Sequence, residues 1–271
     1  RPTSPNIDAI AASGLLFERA YAHSGWTLAS FTSLFTGLLP HQHRVGRAPG
    51  DASQFGRLAP EVVTLAEAVG AAGYATAAVM NNTFLAPEFG LNQGFGDNYL
   101  WSGATNDAHR SADETVELAL DWLGKQQDPA LLVIHMMEPH LDYAPPADIR
   151  GTFTPIEPPF DVPLSDMVLS QGLKSGQIML PRDIPLITGI YDEEILTADR
   201  AVGTLRAGIA ARGRPTVTVI TADHGEEFWD HGGFEHGHTL YGELTRAPLI
   251  ITGPGIPTGT VRTVVGHRDL F

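Results

Sequence analysis

Short apolar runs alternate in this chain with segments that have the apolar spacing of helices. Strands are predicted at 74–80, 130–137, 216–223 and 247–253, and helices at 62–73, after the capping box of Ser111 and Glu114, and at 187–212. Apolar strands that alternate with helices are typical of an α/β protein, because a parallel sheet is covered by helices on both faces. The sequence therefore predicts an α/β fold with a largely parallel central sheet.

Other segments complete this organisation. Ser4 and Pro5 predict the start of a first helix, and LLFERAYA (15–22) predicts a strand. Residues 144–186 are rich in proline and lack periodicity, so we interpret them as a surface excursion that could serve as a lid. With 271 residues and 43% hydrophobic content, residues 1–271 are interpreted as a single domain.

Composition limits the partners and the chemistry of the protein. Lys and Arg number 17 against 31 Asp and Glu, and this net charge of −14 argues against a nucleic-acid partner. The absence of cysteine removes disulfides, thiolate nucleophiles and cysteine-type zinc sites. No apolar run reaches the roughly 18–20 residues that span a bilayer.

Acidic residues and histidines collect after two of the predicted strands. The strand at 216–223 leads into Asp223 and His224, and the strand at 130–137 leads to His140. Sites in α/β proteins gather at the carboxyl ends of strands, and a carboxylate beside an imidazole suits a divalent cation. The alternative is a capping aspartate beside a surface histidine. Three more histidines follow closely and favour the metal: His231, His236 and His238.

A second candidate site lies at the start of the helix predicted over residues 27–37. Thr27 is placed at the junction of loop and helix, where free N–H groups favour an anion. A metal at this point would lower the pKa of the threonine hydroxyl and make it a nucleophile. The alternative is a threonine that only caps the helix, and this segment alone leaves both open.

Six segments follow one another in an order that matches a known family. They are SPNIDAIAASGLLFERAYA (4–22), WTLASFTSLFTGLLPHQHRV (26–45), NNTFLAPEFGLNQGF (81–95), VIHMMEPHLDYAPP (133–146), YDEEILTADRAVGTL (191–205) and TADHGEEFWDHGGFEHGHTLYGELTRAPLII (221–251). Together they resemble the sulfatase family of the alkaline phosphatase superfamily. The resemblance implies an alkaline phosphatase-like three-layer sandwich and a metal-dependent hydrolase of sulfuric or phosphoric esters.

The resemblance also implies roles for individual residues. Thr27 matches the nucleophile and a metal ligand, while Asp223 and His224 match two further metal ligands. His238 matches the residue that binds the sulfuryl or phosphoryl oxygens, and His140 matches a histidine that contacts the substrate ester. At most one of the next three histidines is expected to contact substrate: His135, His231 and His236. Two others are expected to be structural: His41 and His43.

The chain departs from the family at three points. The sulfatase branch oxidises a Cys or Ser to formylglycine within a Cys-x-Pro-x-Arg pattern, whereas this chain reads TLASF over residues 27–31. Thr27 cannot give that aldehyde, because its extra methyl would make the product a ketone. Ala29 and Phe31 stand at the Pro and Arg positions. The family's first strand, with its paired aspartate ligands, would precede Arg1, so the chain resembles a domain truncated at both ends.

These features predict a metal-dependent hydrolase that cleaves phosphate esters, phosphodiesters among them, or sulfate esters through Thr27. The expected cofactor is a divalent ion, namely Mn, Zn, Mg or Ca. The expected partner is a small-molecule, lipid or glycan ester, with a membrane involved only if an anchor lies upstream. Two alternatives remain open: a phosphoethanolamine or phosphoglycerol transferase, and a non-catalytic binding module.

Overall fold

The structure, a computed structural model, describes residues 1–48, 51–96, 99–101, 110–154 and 184–271. Its α-helices are α1 (Pro5–Ala11), α2 (Thr27–Thr36), α3 (Pro40–His43), α4 (Leu65–Ala71), α5 (Ala112–Lys125), α6 (Ile184–Ala211) and α7 (Gly242–Thr245). Short 3₁₀ helices lie at Thr83–Leu85, Pro87–Phe89 and His267–Leu270. In the described ranges, no helix is both long and apolar enough to cross a membrane.

The strands are short and form several sheets. They are β1 (Leu15–Phe17), β2 (Ala20–Tyr21), β3 (Arg47–Ala48), β4 (Asp51–Phe55), β5 (Ala75–Met80), β6 (Tyr99–Trp101), β7 (Ala130–Ile134), β8 (Thr218–Thr221), β9 (Glu227–Phe228), β10 (Phe234–Glu235), β11 (Arg246–Ala247), β12 (Leu249–Thr252), β13 (Gly259–Val261) and β14 (Val265–Gly266). Two of the sheets, ordered β6-β5-β7 and β13-β1-β12-β8, carry the long apolar strands.

The two main sheets differ in the relative direction of their strands. Strand β5 pairs in parallel with both β6 and β7, as the apolar runs predicted. Strand β12 runs antiparallel to both β1 and β8, so the sheet that leads to Asp223 is mixed. The physical reason is that no long crossover helix separates β8 from β12, and parallel neighbours need such a crossover. The predicted α/β class is confirmed, with this one strand reversed.

Helices cover both faces of the sheet that contains β5. Ala78 and Met80 pack with Leu28 and Phe35 of α2 in one apolar cluster. Ala77, which points to the opposite face, packs with side chains of α5 in a second cluster. Helix α6 packs in turn against α5 and α1. The layered arrangement places α2 on one side of the sheet and the pair α5 and α6 on the other.

One predicted segment differs from the structure in its extent, and a second lies mostly outside the described residues. The strand predicted at 15–22 is divided at Glu18 and Arg19 into β1 and β2, which belong to different sheets. The excursion predicted at 144–186 lies mostly outside the described residues, because residues 155–183 are not among them. The first residues of this segment, which are described, are hydrogen-bonded to α6, because Glu193 accepts from the backbone N–H groups of Phe153 and Thr154.

The start of α1 is held by a residue of α6 and not by the predicted cap. Ser4 occupies the N-cap position, but its side chain makes no capping hydrogen bond. The fully buried carboxylate of Asp199 accepts instead from the backbone N–H groups of Asn6 (3.1 Å) and Ile7 (2.7 Å) and from the Asn6 side chain (2.8 Å). A carboxylate at a helix N-terminus satisfies free donors and complements the helix dipole.

Replacing Asp199 with alanine should therefore destabilise the fold. We expect a loss of about 2–4 kcal/mol in the free energy of unfolding, because two backbone donors lose their buried acceptor. Asp121 provides a matched control, since its carboxylate is exposed and its ion pair with Lys125 lies at the surface. Asp121→Ala should therefore cost less than about 0.5 kcal/mol. Urea unfolding of both variants measures the difference, and equal losses would contradict the capping role.

Candidate active site

Thr27 is the first residue of α2 and is almost completely buried. Trp26 precedes it in an extended conformation and packs against Phe55 and Phe84, with ring centroids 5.6 and 4.8 Å away. This aromatic contact fixes the residue at which the helix begins. Trp26, not Thr27, therefore occupies the N-cap position. The Thr27 hydroxyl points elsewhere, with Oγ1 3.2 Å from Nε2 of His224.

The orientation of His224 is set by the turn that follows β8. Its Nδ1 lies 2.8 Å from the carbonyl oxygen of Gly225. A carbonyl only accepts, so Nδ1 carries the hydrogen and Nε2 presents its lone pair to Thr27. Only glycine fits at position 225, because a Cβ there would lie 1.9 Å from the Glu243 carbonyl oxygen. The glycine thus allows the turn that aims His224 at the hydroxyl.

Asp223 completes a group of three converging side chains. Its Oδ2 lies 3.5 Å from Nε2 of His224 and has no hydrogen-bond partner among the described residues. Burial acts to raise the pKa of Asp223, but its electrostatic interactions with His224, His135 and His236 outweigh this effect and hold the pKa below its ordinary value. The carboxylate is therefore ionised at neutral pH.

The donor set of this group fits the divalent cation that the sequence predicts. Three donors lie together: a carboxylate oxygen to which no described residue donates a hydrogen bond, an imidazole lone pair and a hydroxyl oxygen. Such a mixture of oxygen and nitrogen donors suits Mn or Zn, and further oxygen donors would suit Mg or Ca. Thr27, Asp223 and His224, the three predicted ligands, are thus brought together.

His236 lies directly against this group. Its ring is 4.4 Å from the His224 ring, centroid to centroid, and 5.1 Å from the His140 ring. Its Nδ1 is 3.1 Å from a carboxylate oxygen of Glu226. Burial acts to lower the pKa of His236, but the hydrogen bond and charge of Glu226, with the charge of Asp223, raise it above its ordinary value. The protonated form of His236, beside His224, is therefore favoured more than in an ordinary histidine.

His238 lies to one side of this arrangement. Its Nε2 is 2.8 Å from Oε2 of the buried Glu227, and its side chain is more exposed than that of His236. It lines a cavity of about 190 Å³ together with Trp26 and Leu240. The substrate role predicted for His238 stays a prediction, as does that of His140. The histidine that the structure places against His224 is His236.

The remaining histidines occupy two kinds of surroundings. His135 packs edge-on against Phe31, with ring centroids 5.4 Å apart, and adds charge near Asp223. His231 contacts Glu243 at 2.5 Å and stacks on Tyr241. A second group of residues that can bind a metal lies here. One ligand atom from each of His231, Glu243 and Glu227 lies within 4.8 Å of the other two. This group differs from the predicted one.

Of the two histidines in the Pro-His-x-His segment, His43 has contacts that fit a structural role, and the role predicted for His41 stays a prediction. His43 is buried, its Nδ1 accepts from the backbone of Val45, and its Nε2 contacts Ser33 of α2 at 3.1 Å. Burial lowers the pKa of His43 to about 4, so the side chain is neutral. His41 is exposed.

Three residues near the site were not anticipated from the sequence. Glu226 could have been found, because an acid directly after the Asp-His-Gly segment is placed to hold a nearby histidine. Ser30 lies one helical turn after Thr27 and donates to the carbonyl oxygen of Asp223 at 2.5 Å. His267 contacts Ser30 from a distant part of the chain, and the sequence around it carries no signal of this contact.

Comparison with known proteins identifies the family. The family model described as Sulfatase matches residues 1–271. The chain belongs to the sulfatase family. It is 27% identical over 311 residues to arylsulfatase A of Homo sapiens, covering 99% of this chain and 58% of that protein. It is 25% identical over 313 residues to the uncharacterized sulfatase YidJ of Escherichia coli (strain K12), covering 98% and 61%. The chain thus spans about three fifths of the length of these relatives.

Solved structures agree in fold. Phosphonate monoester hydrolase of Agrobacterium radiobacter superposes with a TM-score of 0.72 at 22% identity, covering 99% of this chain and 67% of that one. A 2-O GAG sulfatase superposes with a TM-score of 0.76 at 19% identity, covering 99% and 63%. These likenesses confirm the predicted alkaline phosphatase-like α/β fold, and the family match confirms the resemblance noted in the sequence.

The geometry predicts that His236 contributes more than His238 to anion binding at the site. His236→Ala should weaken the binding of inorganic phosphate about tenfold or more, because a charge-assisted hydrogen bond is lost. His238→Ala should change it less than about threefold, as should the exposed control His41→Ala. Isothermal titration calorimetry at neutral pH, with the same divalent ion present throughout, measures the three affinities. A larger loss for His238→Ala than for His236→Ala would contradict this prediction.

Proposed function

We propose that this protein is a metal-dependent ester hydrolase that uses unmodified Thr27 as its nucleophile and prefers phosphodiesters or phosphonate esters to sulfate esters. One observation carries the proposal. The buried Thr27 hydroxyl at the start of α2 faces the lone pair of His224 Nε2 at 3.2 Å, beside the ionised Asp223. A hydroxyl that only stabilised the helix would not need these two partners.

The covalent chemistry takes place at Thr27 Oγ1. In-line attack forms a bond from Oγ1 to phosphorus as the bond from phosphorus to the leaving alcohol breaks. In net terms, the proton of the Thr27 hydroxyl is transferred to the leaving alcohol in this step. Water then attacks the phosphorus of phospho-Thr27, which releases the phosphate product and restores the hydroxyl. The start of α2 favours this chemistry, because its free N–H groups attract an anion.

Thr27, Asp223 and His224 would hold the divalent cation. Bound there, the ion would supply Lewis-acid chemistry, lowering the pKa of the hydroxyl and balancing charge on the ester oxygens. The residues' own part is to keep a carboxylate oxygen and an imidazole lone pair aimed at one point. Gly225 and Ser30 maintain that aim through the turn after β8.

Positive charge for the transition state comes from histidines. The raised pKa of His236 favours its protonated form beside His224, and the His140 ring lies next to it. Together they can neutralise charge on the equatorial and leaving oxygens of the ester. His238 is a further candidate for this role at the edge of the site, where it lines the cavity beside Trp26.

The identity of the nucleophile favours phosphorus over sulfur. A formylglycine diol can expel sulfate, because the second hydroxyl on the same carbon collapses to an aldehyde. A threonine ester has no second hydroxyl, so its release needs attack by water, which is well suited to phosphorus. Phe31 points the same way, since it lies in the apolar cluster of α2 and adds no fixed cation for a compact sulfate. The likeness in fold to a phosphonate monoester hydrolase supports this choice.

Relatives support sulfate esters as the first alternative, because the proteins that match include arylsulfatase A and sulfatases of glycan components. The substrate class is accordingly a small-molecule, lipid or glycan ester. A transferase of phospho-alcohol head groups would use the same phospho-Thr27 and differ only in its acceptor. A binding module would bind the ester without turnover.

Parallel assays on an aryl sulfate, a phosphate monoester and a phosphodiester test the proposal. With Mn, Zn, Mg or Ca supplied in turn, the phosphodiester should be turned over fastest and the sulfate slowest. Thr27→Ala should lower turnover by about a thousandfold or more, because the covalent route is lost. Thr36→Ala is the matched control: its hydroxyl lies in the same helix but donates to Thr32 O, and turnover should stay within about threefold.

Each other outcome points to a different account. Fastest turnover of the sulfate would replace the phosphoester proposal with the sulfatase alternative. Turnover that requires an added alcohol acceptor would indicate the transferase. Tight binding of all three esters without turnover in any of the four metals would indicate a binding module. Full activity after Thr27→Ala would remove the nucleophile from the mechanism.

A further inference from the structure

His267 is fully buried between the helix that carries Thr27 and the strand that leads to Asp223. It begins the 3₁₀ helix His267–Leu270, which packs on α2 and is capped by Asp269, whose carboxylate accepts from the backbone of Gly266 at 2.7 Å. Its Nδ1 lies 3.5 Å from Ser30 Oγ of α2, and its Nε2 lies 3.1 Å from Thr221 Oγ1 at the end of β8. A single imidazole therefore touches both elements of the candidate active site.

Counting hydrogens fixes the roles of the two hydroxyls. Ser30 donates its only hydrogen to the carbonyl oxygen of Asp223 at 2.5 Å. Thr221 donates its only hydrogen to the carbonyl oxygen of Pro248 at 2.7 Å. A hydroxyl has one hydrogen and two lone pairs, so each oxygen can only accept from His267.

The same count fixes the tautomer of the imidazole. Burial lowers the pKa of His267 to about 4, with Asp223 opposing and His23 and His224 adding to the shift, so the ring is neutral and carries one hydrogen. The shorter contact takes that hydrogen, which makes Nε2–H the donor to Thr221. Nδ1 then carries no hydrogen, and because the Ser30 hydrogen is donated to Asp223 O, its 3.5 Å contact with Ser30 Oγ is one of packing.

We propose that His267 is a positioning residue that holds α2 and the end of β8 in register and thereby sets Asp223 against Thr27. Ser30 follows Thr27 by three residues on α2, and Thr221 precedes Asp223 by two. A shift of the imidazole would therefore displace Ser30 and Thr221, and with them the nearby Thr27 and Asp223. Because a misplacement of about 1 Å can cost about a hundredfold in rate, a buried contact of this kind acts on turnover without touching substrate.

The kinetic test rests on the proposed function. It compares two buried histidines that both contact α2. His267→Leu should lower kcat about tenfold to a hundredfold and change KM less than about threefold. His43→Leu is the matched control, because His43 is also buried and contacts Ser33 of α2 but does not reach β8. It should lower the midpoint of thermal unfolding and leave kcat within about threefold.

Further variants separate positioning from simple loss of stability. His267→Gln keeps a side-chain donor for Thr221 and should recover about tenfold of the lost kcat. Ser30→Ala should lower kcat, and the control Ser33→Ala should not. In the double variant of Ser30→Ala and His267→Leu, kcat should fall by less than the product of the two single reductions. Equal effects of His267→Leu and His43→Leu, or losses that simply multiply, would overturn the proposal. If His267→Leu does not fold, His267→Gln and Ser30→Ala carry the test.

A spectroscopic measurement decides the arrangement without any substrate. Long-range ¹H–¹⁵N spectra of the histidine side chains should show His267 as the neutral Nε2–H tautomer. Ser30→Ala should shift its Nδ1 resonance, and Ser33→Ala should not. An Nδ1–H tautomer, a charged ring or an unchanged Nδ1 would contradict the proposal even if the protein turns over no ester. A protein with the expected tautomer but no turnover would refute the proposed function and leave this arrangement in place.

Discussion

The contact between Thr27 Oγ1 and His224 Nε2 joins parts of the chain that lie 197 residues apart. It forms only because α2 begins at Thr27 and because the turn after β8 lets His224 point back toward that helix. Trp26 fixes the first condition through its aromatic neighbours, and Gly225 permits the second. Ser30 links the same two elements through the Asp223 carbonyl. The geometry of the candidate active site depends on the way in which the helix and the strand end are held together.

Buried carboxylates perform a similar function further from the site. Asp199 and Glu193 of α6 accept from backbone N–H groups of α1 and of the segment that follows His140. A buried carboxylate is tolerated when several donors surround it, and these donors belong to segments distant in sequence. Helix α6 thus fastens elements around the sheet, while the carboxylates closer to Thr27 serve a different purpose. Asp223 keeps an oxygen without a hydrogen-bond partner among the described residues, which suits a cation and not a backbone donor.

Much of this could be predicted from the sequence, for identifiable reasons. The alternation of apolar strands and helices indicated the fold class, and the carboxyl ends of strands indicated where Asp223 and His224 would lie. The order of six motifs indicated Thr27 as the third member of the group. The sequence could not distinguish His236 from His238, because Gly237 between them adopts a positive φ of 83° and the direction of each ring depends on that turn. Nor could it find His267, whose contacts with Ser30 and Thr221 arise from packing across 237 and 46 residues. The reversed β12 and the division of the strand at 15–22 likewise depend on pairing partners and not on local pattern.

Intact-peptide mass spectrometry of residue 27 tests the central claim most directly. The protein would be incubated with a slow phosphodiester or phosphonate ester, quenched in acid and digested, with Thr27→Ala treated in parallel. We expect plain threonine at position 27 in the resting protein and a phosphorylated or phosphonylated Thr27 after quenching, with no label in the variant. Turnover without any label on Thr27, or a label on another residue that persists in Thr27→Ala, would contradict the account.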